Sequence, residues 1–101
     1  MQVVKLGSRN IKIYFNEKAV DKYEKEKNKG SYVHGYIDSG LDEIYIRESL
    51  SPTLKRICLF HELGHAHFDC LHNLGNETIA ELLGRFIDEV FSRNKWVRGL
   101  Y

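Results

Sequence analysis

From Pro52 onward the apolar residues return every three or four positions, whereas in most of the chain ahead of it they alternate every second position. A sequence carrying both periods must combine a sheet with helices and bury the apolar side of each against the other. Val3-Val4-Lys5-Leu6 and Ile11-Lys12-Ile13-Tyr14-Phe15 read as strands joined by the turn Gly7-Ser8-Arg9-Asn10. Asn16 is placed to cap a charged helix from Glu17 to about Asn28, with Ala19, Val20 and Tyr23 inward, and Lys29-Gly30 ends it. Tyr32 to Asp38 and Glu43 to Arg47 read as a hairpin around Ser39-Gly40-Leu41-Asp42, with Ile44 and Ile46 on one face and Glu43, Tyr45 and Arg47 on the other. Ser51-Pro52 is a helix start, and Leu54, Ile57, Cys58, His61, His65 and Phe68 follow at helical spacing. Leu74-Gly75-Asn76 breaks that pattern. Asn76 then caps a last helix from Glu77 to about Arg93, whose core face is Ile79, Leu82, Leu83, Phe86 and Val90. The expected fold is α+β, a single domain over residues 1–101, the size of one ordinary core.

Composition excludes more than it selects. A formal net charge of +1 gives no reason to expect nucleic acid or an anionic membrane as a partner. No apolar run approaches the roughly 20 residues that span a bilayer. Met1 to Phe15 lacks the apolar block of a signal peptide, so a cytoplasmic protein is expected. Cys58 and Cys70 flank one predicted helix; twelve residues of helix hold them about 18 Å apart, beyond the roughly 7 Å reach of a disulfide. Both are read as reduced and structural.

The chemistry is concentrated in His61-Glu62-Leu63-Gly64-His65. Histidines at i and i+4 project from one helix face, about 6 Å apart along the axis, so their imidazoles can meet one zinc ion. Glu62 is offset by about 100° and lies beside such an ion, where a general base must stand to deprotonate water. The motif arises by chance in roughly a few per thousand chains this short at average residue usage. The competing reading is two core histidines on an apolar face. Leu63 is expected in the core, and Gly64 is expected to admit a closely crossing helix.

A zinc site of this kind needs a third protein ligand and leaves the fourth position to water. Downstream candidates are His67, Asp69, His72, Glu77 and Glu81. His67 faces away from His65 on a continuous helix, and His72 is in poor register. Asp69, four residues past His65, could contact the metal or orient an imidazole. Glu77 and Glu81 open a separate helix and share one side of it; one can ligate while the other accepts a hydrogen bond from a ligand imidazole. They could equally be first-turn acids complementing the helix dipole.

His61-Glu62-Leu63-Gly64-His65 followed by Glu77-x-x-Ala80-Glu81 resembles the gluzincin pattern, and residues 32 to 91 are similar to the core of ImmA/IrrE-type metallopeptidases and single-domain minigluzincins. The family more usually has aspartate or asparagine at the position of Glu81. The resemblance implies a small zincin-like domain: an antiparallel or mixed sheet with an edge strand packed on the histidine helix, and a C-terminal glutamate helix. It also implies Zn2+ held by His61, His65 and Glu77, with Glu81 as the orienter, and a proteolytic role often directed at a DNA-binding repressor.

The expected activity is metal-assisted peptide hydrolysis of a protein or peptide substrate, with Glu62 as base. The substrate is expected to add as a strand to Glu43–Arg47, taken as the sheet edge. His34, Tyr36, Tyr45 and Arg98 are the candidates for an oxyanion donor. Two other readings compete: a non-catalytic zinc-containing binding module, and a latent enzyme whose tail, with Trp96 and Tyr101, occupies the cleft.

Overall fold

The computed structural model describes residues 1–27, 32–38, 40–68 and 76–100, and for residues 67, 68, 76–82 and 84 the backbone alone. The elements run β1 (Gln2–Leu6), β2 (Arg9–Phe15), α1 (Glu17–Lys27), β3 (Gly35–Asp38), β4 (Glu43–Ile46), α2 (Pro52–Phe68), α3 (Asn76–Arg93) and α4 (Lys95–Arg98). The class is α+β, with a four-stranded mixed sheet in the order β1-β2-β4-β3. β1 and β2 are antiparallel from Gln2↔Ile13 to Leu6↔Arg9, which leaves a two-residue turn in which Gly7 takes φ 64°. A positive φ costs glycine little and any L side chain more.

Alternation determines the core. Val4, Leu6, Ile11, Ile13, Ile44 and Ile46 leave one face of the sheet and are buried against Cys58, Leu59 and Leu63 of α2 and Phe86 and Val90 of α3. Burying each large aliphatic side chain contributes about 1.5–3 kcal/mol. Two of the expected caps form: Asn16 Oδ1 accepts from the Ala19 amide (3.1 Å) and Ser51 Oγ from the Leu54 amide (3.2 Å); the side chain of Asn76, the third, lies outside the described residues.

One core assignment is corrected: Leu83, expected in the core, is 46% exposed. Within α2, Leu54 and Ile57 are exposed, and the helix turns Cys58, Leu59, Glu62 and Leu63 to the sheet. The hairpin strands are also shorter than expected, because residues from Tyr32 to His34 and Arg47 lie outside them. Arg47 is buried, and its guanidinium binds the Val33 carbonyl and the Glu17, Asp21 and Glu24 carboxylates, tying α1 to the sheet. Burial draws its pKa down, but hydrogen bonds to Asp21 and Glu17 outweigh that and raise it.

The Glu43–Arg47 segment is not an edge. β4 pairs in parallel with β2 (Lys12↔Glu43 to Phe15↔Ile46) and antiparallel with β3 (Gly35↔Ile46 to Asp38↔Glu43), so it is an inner strand. The edges are β1 and β3, and they are treated differently. Asn94 Oδ1 accepts from the Lys5 amide (2.8 Å), its Nδ2 donates to the Lys5 carbonyl (3.2 Å), and Trp96 Nε1 donates to the Val3 carbonyl (2.9 Å). Side chains of the C-terminal segment thus cover the β1 edge, a common protection against stray strand pairing. β3 keeps its outer edge beside α2. Among the described residues, no helix is long and apolar enough to cross a membrane.

Candidate metal centre

One close approach brings α2 to the edge strand. A β-carbon at Gly35 would stand 2.5 Å from the Tyr45 carbonyl oxygen and 2.7 Å from Cys58 Sγ, so only glycine lets the helix lie this near β3. His61 follows Cys58 by less than one turn and His65 follows His61 by about one, so both imidazoles emerge at the same edge. At the other end of the helix Arg9 Nη1 donates to the Ala66 carbonyl (2.7 Å) while Arg9 Nε donates to Asp42 (3.1 Å), which anchors the last described turn of the histidine face.

Both imidazoles are exposed, with their ring centroids 4.7 Å apart and their planes at 81°. Their Nε2 atoms converge to 3.1 Å. Nitrogens held about 2.0–2.1 Å from one tetrahedral zinc ion would stand about 3.3 Å apart, so this donor pair fits such an ion. Glu62 lies between the two histidines and is only 7% exposed. It lines a hollow of about 300 Å³ with His34, Gly35, Cys58 and His61, and a second of about 310 Å³ with Tyr23, Gly35, Tyr36 and His65. The two hollows run along β3 and meet at Glu62. On the far side of His61 an apolar groove of about 480 Å³ opens between Phe60 and Gly64 of α2 and Leu83, Phe86 and Ile87 of α3. Among the described residues, a methyl group at Gly64 would meet nothing within 4 Å.

Leu63 is fully buried, as expected. Cys58 is a free, buried thiol whose pKa burial, reinforced by the charge of Glu62, pushes up to about 12. Cys70, Asp69 and His72 lie outside the described residues, as do the side chains of His67, Glu77 and Glu81; the backbones of Glu77 and Glu81 are in the first turns of α3. Among the described residues, no group of three metal-ligating side chains occurs.

The four oxyanion candidates separate. His34 and Tyr36 line the hollows that contain Glu62. Tyr45 lies within the sheet's tyrosine face, where its hydroxyl donates to Glu43 (2.9 Å) and burial, with that bond, raises its pKa to about 12. Arg98 is on α4, whose Trp96 is bonded to β1 at the opposite edge of the sheet. The tail therefore packs against β1 rather than over the histidines: Val97 is fully buried and Leu100 lies against the core, while Tyr101 is outside the described residues. Sequence reading missed Gly35 and Tyr23 as parts of the site. The lone signal was the Gly35-Tyr36 start of a strand, which does not say what the glycine approaches. Comparison with family models, curated proteins and solved structures returned no match.

Proposed function

We propose that this protein is a zincin-like metallopeptidase that hydrolyses extended protein or peptide segments bound along β3. The observation that carries this reading is the convergence of His61 and His65 Nε2 to 3.1 Å on the helix turn that also carries the buried Glu62, near a strand whose outer side pairs with no other strand among the described residues. His61, His65 and Glu77 would hold the ion, with Glu81 or Asp69 as orienter or alternative ligand. Zinc bound there supplies Lewis acidity, which lowers the pKa of a bound water to about 7 and polarises a carbonyl.

The chain's own residues do the rest. Glu62 takes the proton from the attacking water, and its burial keeps bulk water from competing for that proton. It then delivers the proton to the departing amine. The amides and carbonyls of β3 align the substrate as an added strand, which fixes the scissile bond relative to Glu62. His34 or Tyr36 can donate a hydrogen bond to the developing oxyanion from the hollow walls. A repressor-like protein is the substrate that the family resemblance suggests.

The test is metal content together with turnover. The parent protein should carry about one zinc per chain by the three-ligand logic, and His61→Ala and His65→Ala should each lose it. Glu62→Gln should keep the metal and lose peptide cleavage, since only the base is gone. Full zinc occupancy in the double histidine variant overturns the site. Peptide binding without cleavage by the parent protein would instead support a binding module.

A further inference from the structure

Tyr14, Tyr45 and Tyr36 stand opposite one another in the registers of β2, β4 and β3, so all three side chains leave the same sheet face. Their rings stack in sequence, with centroids 5.1 Å and 5.0 Å apart and planes at 15° and 14°, close to the strand spacing of about 4.8 Å. The next ring in the row comes from no strand. Tyr23 of α1 lies 4.2 Å from Tyr36 at an interplanar angle of 4°. Tyr45 holds one face of the Tyr36 ring, so Tyr23 covers the other, beyond β3. The helix has about that reach: from Glu17, two residues past the end of β2, to Tyr23 it advances about 9 Å, comparable to the roughly 9.6 Å of two strand spacings from β2 to β3. Tyr23 also lines the hollow that holds Glu62 and His65.

The hydrogen-bond phase of β3 says what belongs in that place. The Arg47 amide donates to the His34 carbonyl (2.9 Å), which makes His34 and Tyr36 the residues bonded inward to β4. Gly35 and Ile37 therefore direct their amides and carbonyls to the outer side of β3, which pairs with no other strand among the described residues. A strand added there bonds to those two residues, and its residue opposite Tyr36 points its side chain onto the tyrosine face. That side chain would occupy the position now filled by the Tyr23 ring.

We infer that Tyr23 is an internal stand-in for an aromatic substrate side chain: a bound strand displaces it and stacks its own ring on Tyr36, so the site selects substrates with an aromatic residue at that position. This rests on the metallopeptidase reading above. Charge does not supply the selection, because Lys22, Lys27, Glu26 and Asp38 surround the stack with both signs. Shape does. An aromatic side chain replaces the lost Tyr23–Tyr36 contact with an equivalent one, whereas an aliphatic side chain loses it. Aromatic pairs contribute about 0.5–1.5 kcal/mol beyond area burial, which is roughly a 2- to 12-fold preference.

The test compares extended peptides that carry phenylalanine, leucine or lysine at the position facing Tyr36. It uses turnover by the zinc-loaded protein and, independently of catalysis, fluorescence polarisation with labelled peptides and Glu62→Gln. Tyr23→Ala should lower both Kd and KM by roughly 2- to 12-fold for every peptide and keep the aromatic preference, because a competitor has gone. Tyr23→Phe should behave as the parent. Tyr36→Leu should abolish the preference while retaining binding. Equal kcat/KM for the phenylalanine and leucine peptides overturns this inference alone, as does weaker binding in Tyr23→Ala. Failure of the parent protein to bind or cleave any peptide overturns the peptidase reading and this inference together.

Discussion

A β-carbon at Gly35 would lie 2.7 Å from Cys58 Sγ, so the edge strand and the histidine helix meet at a point with no spare volume. That contact, rather than the motif alone, determines how far His61 and Glu62 stand from the strand.

Gly35→Ala should therefore be costly although the change is one methyl group. The new atom would also meet the Tyr45 carbonyl oxygen at 2.5 Å, and backbone cannot give way as a flexible side chain can. Overpacking of this kind costs about 1–3 kcal/mol. Urea unfolding should show a lower midpoint with an unchanged slope. An unchanged midpoint would show that the helix tolerates a larger separation.

Glu17 couples the fold to acid. It accepts hydrogen bonds from the Ser49 amide (2.9 Å) and hydroxyl (3.0 Å) and from Arg47 (3.0 Å), and the Ser49 amide bond is the main cause that holds its pKa below the ordinary 4.5. A carboxylate with a depressed folded-state pKa stabilises the fold fully above its unfolded value and loses that contribution as pH falls through the lowered one. The contribution of Glu17 to stability should thus be flat above about pH 5 and decline below about pH 4.5. In Glu17→Gln the decline should be shallower when urea midpoints are followed from pH 7 to pH 3. Superimposable pH profiles would place the acid sensitivity elsewhere.

Local signals in the sequence were legible and non-local ones were not. The Asn16 and Ser51 caps depend on atoms three residues apart, and both formed where the sequence placed them. The hairpin of β3 and β4 was likewise local and is present. The parallel pairing of β2 with β4 spans α1 and β3, and nothing in Glu43-Ile44-Tyr45-Ile46 distinguishes an edge strand from an inner one with two covered faces. The facing of α2 was only partly legible, for another reason. Apolar residues occur on several sides of this helix, so period alone could not tell the buried set, Cys58, Leu59 and Leu63, from the exposed Leu54 and Ile57. The histidine pair needed only the pitch of a helix. The Gly35 approach and the place of Tyr23 needed the tertiary structure.

Truncation after Arg93 separates a structural tail from an inhibitory one. The removed segment includes Asn94, which bonds both backbone groups of Lys5, the fully buried Val97, and Trp96 bonded to Val3. Burial of one aliphatic side chain contributes about 1.5–3 kcal/mol and each hydrogen bond about 1 kcal/mol, against a typical net stability of 5–15 kcal/mol. The shortened chain should unfold at a much lower temperature and lose activity. Raised activity at an unchanged Tm would restore the latent-enzyme reading.

For the proposed zinc site, Glu77 and Glu81 as third ligand give different signatures. Both lie in the first turns of α3, one helical turn apart, so they share a side of that helix. Glu77 is the nearer to the segment joining α3 to the histidine helix, and the Glu-x-x-Ala-Glu order resembles the gluzincin pattern with Glu77 in the ligand position. A ligand and an orienter differ in what their loss does. Removing one of three protein ligands leaves two imidazoles, too few for a stable site. Removing a residue that only orients a ligand weakens metal affinity about 10- to 100-fold. Under competition with a mild chelator, Glu77→Ala should therefore lose its zinc, while Glu81→Ala should keep it with reduced affinity and slower turnover. The reverse ranking would exchange the two roles. Zinc affinities indistinguishable from the parent in both variants would remove α3 from the site and turn the search to Asp69.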